Sequence, residues 1–399
     1  MKNPSTDGQV LRHVLRRFAP TALMLGNIVT GCSVMAPAGM LSELSSGLGV
    51  SIRDAGLLVT FGAIMLCVGS PVAASLTSRI ERRTLLTATL AILALGNVAS
   101  AFAPDYASLL AIRLVMLAVG ALYTPQAAGT AALIVPAEKR GSTIAYIFLG
   151  WSLAAAIGLP LIALVASRYG WRAVYGGIGA IGCISFLLLA WRLPRGLTGT
   201  PVDLKTWADV GRNRLIMLLL LITTLQMSGQ FVVFTFMGPL LTGLAQADAD
   251  GVGLVFLIYG VFGFIGIAIA TRIVDSWGAY KSSLLFTALI LTGITGWALS
   301  AGIYPLMACS VAIWGLGFAS TNSMQQVRLV TAAPALASAS VSLNTSVLYI
   351  GQAVGSAVGG VLYADGWLYG SGYVAMGFVA LAVFVVMLTR PRPAAAAST

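Results

Sequence analysis

The chain has 399 residues, of which 58% are hydrophobic and only 9% are charged, and its formal net charge at pH 7 is +11. Soluble domains carry about 25% charged residues, so this composition excludes a soluble globular domain. It also excludes a disordered chain, a collagen and a coiled coil. The cysteines lie inside hydrophobic runs and behave there as small apolar residues, so we expect no disulfide framework from Cys32, Cys67, Cys183 and Cys309.

Short polar breaks divide the chain into twelve apolar segments, each long enough for a membrane-spanning helix of roughly 20 apolar residues. In chain order they lie near 18–41, 54–76, 84–103, 106–134, 142–166, 173–193, 214–241, 252–274, 282–302, 304–327, 336–362 and 370–389. The longest polar stretch, rich in Gly, Thr and Pro, separates the first six segments from the last six. The sequence therefore predicts an all-α polytopic membrane protein with a six-helix bundle over 1–193, a cytoplasmic linker over 194–213 and a second six-helix bundle over 214–399.

The basic residues orient these segments. If the N-terminus is cytoplasmic, all 23 basic residues except Arg53, Arg113, Arg168 and Arg172 lie at the cytoplasmic ends of segments. Basic residues are retained on the cytoplasmic side during insertion. The sequence thus predicts a multi-pass protein of the cell inner membrane with both termini cytoplasmic. Its positive charge then faces anionic lipid headgroups and not a nucleic acid.

The second half of the sequence repeats features of the first. Segment five carries Gly150 and Gly158, and segment eleven carries Gly351 and Gly359 with the same spacing. Segments two and eight both end in Thr, Arg and Ile ahead of a basic turn. Two related six-helix halves are typical of transporters that rock about a central site.

Four motifs have an order and spacing that are specific in combination. Residues 74–83 read Ala-Ser-Leu-Thr-Ser-Arg-Ile-Glu-Arg-Arg, and residues 270–278 read Ala-Thr-Arg-Ile-Val-Asp-Ser-Trp-Gly. In segment four Arg113 precedes Gly120, and in segment five a glycine series ends in Gly-Leu-Pro at 158–160.

These motifs resemble those of the major facilitator superfamily, in particular its bacterial drug and sugar efflux branch of proton antiporters, over essentially the whole chain. The family's loop pattern is Gly-x-x-x-Asp-Arg-x-Gly-Arg-Lys/Arg. This chain matches it at Arg79, Arg82 and Arg83. It departs from the pattern at Ala74, Ser78 and Glu81, where the family has Gly, Asp and Gly. The resemblance implies the major facilitator fold, with two pseudo-symmetric six-helix bundles, and efflux in exchange for protons.

Two groups of residues are candidates for gating. Arginine-rich loops at the cytoplasmic mouth can bind helix C-terminal carbonyls and carboxylates, and so hold the bundles together when the outside is open. This hypothesis concerns Arg79, Arg82, Arg83, Asp275 and Lys281, for which a purely topogenic charge is the alternative. Gly158 and Pro160 are candidates in segment five, where the proline is expected to bend the helix. Close helix packing is the alternative for the glycine.

Arg113 is the one ionisable residue that we place well inside a segment, roughly 10 Å deep at 1.5 Å per residue. A cation there costs about 2.5–3.5 kcal/mol on insertion scales, so it needs a purpose and a partner. The functional hypothesis is binding of substrate or coupling to protons; a clamp on carbonyls, or snorkelling to the surface, is the alternative. No acidic residue lies deep in a segment, and the nearest candidates for a proton carrier are Glu43 and Asp54, which are otherwise loop residues.

Uncharged polar residues cluster where a central cavity is expected. Unpaired amides in lipid are costly, so these side chains should face the protein interior. The set suggests a site for a neutral or weakly polar solute, with interhelical hydrogen bonding as the alternative for each residue. The candidates are Asn27, Tyr123, Gln126, Gln226, Gln230, Asn322, Gln325, Gln326, Asn344, Tyr349 and Gln352, with Trp151 and Phe234 as apolar walls.

The sequence predicts a transporter and not an enzyme. It has one histidine, no paired carboxylates within the segments, no phosphate-binding loop and no expected cofactor or metal site. Gly177–Gly182 matches a dinucleotide fingerprint but lies within a segment with no preceding strand. We expect a monomer that exports a small organic solute, such as a drug, a sugar or a nucleoside, in exchange for protons. A uniporter or importer of a neutral or weakly anionic solute is the alternative.

Overall fold

The computed structural model describes residues 4–76, 80–136, 139–197 and 204–390, which form helices joined by short connections with no strand among them. A π-helical turn over Ala154–Gly158 lies between α7 and α8, and a short 3₁₀ turn over Pro334–Leu336 precedes α15. The helices are α1 (Pro4–Gly39), α2 (Leu41–Leu48), α3 (Ile52–Leu76), α4 (Arg82–Ala101), α5 (Tyr106–Gly120), α6 (Tyr123–Ile134), α7 (Arg140–Leu153), α8 (Leu159–Tyr169), α9 (Trp171–Arg192), α10 (Leu204–Arg212), α11 (Arg214–Phe234), α12 (Met237–Ala245), α13 (Ala249–Leu299), α14 (Tyr304–Ala332), α15 (Ala337–Ala364) and α16 (Leu368–Leu388).

The described chain contains eleven helical stretches that are long and apolar enough to cross a membrane. One of them, the 51-residue α13, consists of two helical arms on either side of Gly278, whose φ of 79° and ψ of 156° are not helical. Glycine accepts a positive φ because it has no Cβ atom. The prediction of twelve spans in an all-α membrane protein is therefore confirmed.

Several helices contain breaks that the sequence analysis did not predict. The fourth span is divided into α5 and α6, and the seventh continues after a break as the short helix α12. The predicted linker contains the helix α10. In the fifth span Pro160 has no N–H to donate to the carbonyl of residue 156, and the preceding π-helical turn is closed by a bond from Leu159 N to Ala154 O. The sequence predicts a bend at Pro160, and what the structure has there is a widened turn directly before the proline.

The sequence repeat corresponds to a repeat in packing. A Cβ atom added to Gly150 would lie 2.5 Å from the carbonyl oxygen of Met24, and one added to Gly351 would lie 2.5 Å from that of Thr224. The two contacted residues are 200 positions apart and the two glycines 201 positions apart. The pairs α1 with α7 and α11 with α15 therefore meet in the same way, through glycines that let two backbones approach closely.

We call α1–α9 the first half and α11–α16 the second half. The proximal side of the molecule carries the start of α1 and the end of α16, and the distal side carries α2. Among the described residues, the hydrogen bonds and ion pairs between the halves lie towards the distal side. The Ser356 hydroxyl donates to the Gly56 carbonyl oxygen at 3.4 Å, and Arg168 lies 3.9 Å from Asp250.

The halves also meet without any side chain between their backbones. A Cβ atom added to Gly260, on the first arm of α13, would lie 2.1 Å from the Cα atom of Ala156 in the π-helical turn. We call this contact, together with the α3–α15 contact at Gly56 and Ser356, the distal seam. It closes the space between the halves from mid-span towards the distal side.

The polar connection between the halves is attached to each of them on the proximal side. The backbone N–H of Arg82 donates to the Leu197 carbonyl at 2.7 Å, and the Glu81 carboxylate accepts from the N–H of Gly196 at 2.5 Å. At the other end, Val210 of α10 is buried against the second half. These contacts leave only a short stretch of chain between the two attachment points.

We expect Gly351→Ala to lower the thermal unfolding midpoint of the detergent-solubilised protein. The added methyl group would press on the Thr224 carbonyl and the Met227 side chain, and overpacking of this kind costs about 1–3 kcal/mol. Gly377→Ala on α16 is the control, because a Cβ atom there meets nothing within 4 Å. Equal midpoints for the two variants would contradict the packing described here.

Candidate functional site

A chain of hydrogen bonds joins three helices at mid-span in the first half. The Asn27 side chain donates from Nδ2 to the Ile147 carbonyl at 3.0 Å and accepts from the Thr124 hydroxyl at 2.8 Å. The Thr124 oxygen in turn accepts from Trp151 Nε1 at 3.0 Å. Tyr123 donates to the Leu23 carbonyl at 3.3 Å. Asn27 and Tyr123 therefore make the interhelical bonds that were the alternative to solute binding.

A corresponding chain joins three helices of the second half. The Thr223 hydroxyl of α11 donates to Asn344 Oδ1 of α15 at 2.7 Å, and Asn344 Nδ2 donates to Asn322 Oδ1 of α14 at 3.3 Å. Asn344 is buried and Asn322 is half-buried. These hydrogen bonds fix the orientation of both amides, because Asn344 accepts through Oδ1 and donates through Nδ2, and Asn322 accepts through Oδ1.

Gln230 takes part in an aromatic cluster of the second half. Its Oε1 accepts from Trp314 Nε1 at 2.7 Å, and its Nε2 donates to the Gln226 carbonyl at 3.2 Å. The Trp314 ring lies 6.4 Å from that of Phe234 and 5.3 Å from that of Tyr259, measured between centroids. Phe234 is thus enclosed by other rings, and Gln230 has little free hydrogen-bonding capacity.

The remaining candidates have polar groups that no described residue binds. The Gln126 amide, the Gln326 amide and the Tyr349 hydroxyl make no hydrogen bond within the described chain, and their polar atoms are not completely enclosed. Gln226 differs, because it is 0% exposed and neither its oxygen nor its nitrogen has a partner there. A buried amide without a partner costs about 1–3 kcal/mol. The Gln352 amide likewise makes no hydrogen bond within the described chain and is not completely enclosed. The amides of Gln126, Gln326 and Gln352 and the hydroxyl of Tyr349 are therefore accessible to a solute, whereas the Gln226 amide is enclosed in the described state.

Arg113 is 1% exposed and binds a carbonyl oxygen on α1. Its Nη1 and Nη2 both donate to Ser33 O at 3.2 Å, and Nη1 also donates to the Tyr175 hydroxyl at 3.2 Å. In an unbroken helix the N–H of residue 37 would donate to this oxygen, but residue 37 is Pro37. Arg113 therefore supplies the donors that the proline removes.

Trp314 occupies the position in the second half that Arg113 occupies in the first, 201 residues earlier. Each reaches the first helix of its own half, Arg113 at Ser33 and Trp314 at Gln230. Trp314 was not among the residues predicted from the sequence, although the 201-residue spacing between the repeated glycines of segments five and eleven indicates its position.

The two candidate proton carriers lie on the distal side and neither is among the hydrogen-bond partners of Arg113. Asp54 accepts from the Ser51 hydroxyl at 2.7 Å, and Ser51 accepts from the Asp54 N–H at 3.0 Å, which caps the start of α3. Glu43 lies half-buried on α2. Burial raises the pKa of the Glu43 carboxyl group, while a hydrogen bond from its own backbone partly opposes this shift.

The gating candidates of the proximal side do not form an ion pair among the described residues. Arg79 lies outside the described residues, and Asp275 is exposed. Arg83 donates to the Ala190 carbonyl near the end of α9, whereas Nε and Nη1 of the buried Arg82 have no partner within the described part of the chain. The contact between the arginine-rich loops and the second half was predicted for a state that is open on the distal side. The described state is instead closed on the distal side.

Gly158 and Pro160 lie beside the distal seam. A Cβ atom on Gly158 would come within 2.6 Å of the Cys32 sulfur, so this glycine permits close packing of the fifth span on α1. Pro160 lines a groove on the outer face of the same seam.

Twelve spanning helices, two halves that meet through a seam on one side and mid-span polar groups with unused hydrogen-bonding capacity are typical of a membrane transporter. The family profile described as Major Facilitator Superfamily matches residues 23–351, and the chain belongs to this family. The resemblance stated from the motifs is therefore confirmed.

Relatives named as transporters match nearly the whole chain. The inner membrane transport protein YdhP of Escherichia coli is 30% identical over 387 residues, which cover 95% of this chain and 98% of the relative. A probable sugar efflux transporter of Mannheimia succiniciproducens is 24% identical over 380 residues, which cover 94% of each chain.

Solved structures of transporters share the fold. The nucleoside transporter NupG superposes with a TM-score of 0.72 at 12% identity, covering 94% of this chain and 100% of that one. A bacterial homologue of the human lysosomal transporter Spinster, in an inward-facing and unoccupied conformation, superposes with a TM-score of 0.69 at 15% identity, covering 95% and 99%. At these identities the likeness shows the fold alone.

We expect Arg113→Ala to destabilise the protein, because it leaves the Ser33 carbonyl buried without a donor at a cost of about 1–3 kcal/mol. Adding Pro37→Ala restores a backbone N–H for that carbonyl, so the double variant should recover part of the loss. Thermal unfolding of the wild type, both single variants and the double variant in one detergent measures the coupling. If the two substitutions were simply additive, the assigned role of Arg113 would be wrong.

Proposed function

We propose that this protein is a secondary active transporter of the cell inner membrane that works by alternating access, with both termini in the cytoplasm. Two six-helix bundles, over 1–193 and 214–399 and joined by the linker over 194–213, would rock about a central site. The observation that carries the proposal is the distal seam, which joins the halves on one side and includes backbone contacts that can separate without breaking a covalent or buried ionic bond. The cavity would then open to the cytoplasm in the described state.

We propose that the solute is a small, neutral or weakly polar organic molecule. The groups at mid-span without a partner among the described residues are the amides of Gln126, Gln226, Gln326 and Gln352 and the hydroxyl of Tyr349, which donate and accept hydrogen bonds without a formal charge. The names of similar proteins include a probable sugar efflux transporter and a nucleoside transporter, which agrees with a sugar-, nucleoside- or drug-like solute. Asn27, Tyr123, Gln230, Asn322 and Asn344 would shape the site by holding the helices that carry these groups.

Efflux in exchange for protons is the direction and coupling that we propose, with Arg113 and either Glu43 or Asp54 as the coupling groups. The raised pKa of Glu43 supports it as a proton carrier. A uniporter or importer without proton coupling is the second candidate. It is favoured by the neutral partners of Arg113, which are a carbonyl and a phenol.

Gating by the proximal arginines is proposed for the opposite state. When the distal seam opens, Arg79, Arg82 and Arg83 would approach Asp275 across the proximal side. The unpartnered Nε and Nη1 of Arg82 support this assignment, because a buried guanidinium group gains from such a partner.

Proton flux in everted membrane vesicles tests the proposal. Vesicles that contain the protein are acidified by respiration, and sugars, nucleosides and drugs are added one at a time. We expect one class of compound to dissipate the pH gradient, because efflux of the solute is then exchanged for protons. Empty vesicles give the background. Gly260→Leu gives a second control, because its side chain cannot fit against Ala156 when the seam is closed.

Two results would contradict parts of the proposal. If labelled solute equilibrates while no compound dissipates the pH gradient, the protein is a facilitator and not an antiporter. If Arg113→Ala exchanges solute for protons as the wild type does, Arg113 is not a coupling group.

Tyr349→Phe and Tyr123→Phe form a matched pair that separates solute binding from helix packing. We expect Tyr349→Phe to raise the KM for the transported solute about fivefold or more without changing thermal stability, because its hydroxyl has no partner among the residues that the structure describes. Tyr123→Phe removes the bond to Leu23 O and should lower stability instead. An unchanged KM for Tyr349→Phe would remove Tyr349 from the site.

A further inference from the structure

An apolar groove of about 360 Å³ follows the outer face of the distal seam. One wall belongs to the first half, from the π-helical turn and α8, and the other belongs to the first arm of α13 in the second half. The large side chains of both walls are exposed on the surface that faces the bilayer. The residues that define the walls are Ile157, Pro160 and Leu161, and then Gly253, Leu254 and Leu257.

The length and depth of the groove fit one lipid chain. It extends along α13 from Ala249 to Leu257, which is eight residue steps or roughly 12 Å at 1.5 Å per residue. One leaflet contributes about half of the roughly 30 Å hydrocarbon thickness. Because the groove begins at the distal end of α13 and runs along the helix, its occupant comes from the distal leaflet and lies parallel to the helices.

Two opposite charges stand at the distal mouth of the groove. Asp250 lines it, and Arg168 lies one helical turn beyond the lining residue Leu164. Their side chains are 61% (Arg168) and 75% (Asp250) exposed, and Arg168 Nη2 lies 3.9 Å from Asp250 Oδ1. At that distance and exposure the pair contributes little by itself, so both groups can bind a third partner.

We propose that the groove binds one phospholipid with a phosphoethanolamine headgroup. One acyl chain lies between the two walls, the phosphate binds Arg168 and the primary ammonium group binds Asp250. A headgroup with an ammonium group matches both charges, whereas a phosphatidylglycerol headgroup offers Asp250 only neutral hydroxyl donors, which bind a carboxylate less strongly than an ammonium group does. A choline headgroup has no N–H donor and binds the carboxylate less well.

Such a lipid would act on the conformation of the transporter. The walls and the two charges belong to different halves, so the complete site exists only while the distal seam is closed. A ligand that binds one state alone stabilises it in proportion to RT ln(1 + [L]/Kd). Phosphatidylethanolamine therefore favours the distally closed state. This step rests on the alternating access proposed above, whereas lipid binding itself does not.

Filling the groove with a side chain tests the site. A Cβ atom on Gly253 meets nothing within 4 Å, so Gly253→Trp should fold and occupy the groove. Gly177→Trp is the matched control, because Gly177 is exposed, lies a similar number of residues from the distal end of its own helix and also has open space at its Cβ position. The readout is native mass spectrometry of protein incubated with equal amounts of phosphatidylethanolamine, phosphatidylcholine and phosphatidylglycerol.

We expect the wild type and Gly177→Trp to retain phosphatidylethanolamine in preference to the other two lipids. Gly253→Trp should retain at least tenfold less, and Asp250→Asn should lower the preference for phosphatidylethanolamine by up to about fivefold, since an exposed charge contact contributes up to about 1 kcal/mol. Equal retention by Gly253→Trp and Gly177→Trp would overturn the site. Equal retention of phosphatidylethanolamine and phosphatidylglycerol by the wild type would overturn the headgroup assignment.

The conformational step has a separate readout. Spin labels at Tyr169→Cys and Leu299→Cys, in a background without the four native cysteines, report the distance between the halves on the distal side, where both residues are exposed. Phosphatidylethanolamine should increase the closed fraction in the wild type and not in Gly253→Trp. An equal response in both would overturn the regulatory step. Distances that never change, in any lipid or with any transported solute, would instead contradict alternating access.

Discussion

The first half of the molecule depends on the contact between the Arg113 guanidinium group and the Ser33 carbonyl. A membrane offers no water to a backbone group that loses its helical partner, so the proline at residue 37 would leave an expensive orphan. Arg113 removes this cost with two N–H donors, and the carbonyl dipole and the Tyr175 hydroxyl solvate its positive charge in return. The charge and the helix defect therefore compensate each other. Because α1 also carries Asn27, which bonds to α6 and α7, the same contact positions the polar chain at mid-span.

The two halves share a scaffold and differ in chemistry. Glycines placed 201 residues apart bring equivalent helices together, yet Trp314 stands where the first half has Arg113. Gln226 likewise corresponds to Gly26, which makes room for the Tyr123 hydroxyl, and Met324 stands in place of that tyrosine. The second half therefore has an amide but no hydroxyl to satisfy it. A repeat that keeps its packing and changes its polar groups gives the proposed central site two different walls, which would suit an asymmetric solute.

The sequence was enough to predict the membrane-spanning helices but not the hydrogen-bond partners of their buried side chains. Hydrophobic length locates a membrane helix because the bilayer has a fixed thickness, and a glycine repeat locates its close contacts. Neither says which oxygen a buried side chain will reach: Arg113 is next to Ser33 only because two distant helices pack, and Asn27 finds Thr124 for the same reason. The breaks that create α2, α12 and the π-helical turn also escaped prediction, since they depend on bonds that shift by a single residue. The unpaired carbonyl at Ser33 could have been predicted, because a proline inside a helix leaves the carbonyl oxygen four residues earlier without its usual N–H donor.

The charge distribution limits how coupling can work. The Arg113 guanidinium group is 1% exposed and its hydrogen-bond partners are neutral, so the first half presents a positive potential to the interior that no described carboxylate within the spans cancels. In a low-dielectric interior this potential extends over several ångströms and favours electron-rich groups on a solute. It also opposes entry of a second cation. Under the proton coupling proposed above, a proton would pass close to Arg113 only together with a negative charge, supplied either by a carboxylate that moves inwards from the distal side or by the solute. Glu43 is the carboxylate whose environment is suited to the first route, because α2 joins directly to the helix that Arg113 clamps and the partial burial of Glu43 brings its proton affinity closer to neutral pH.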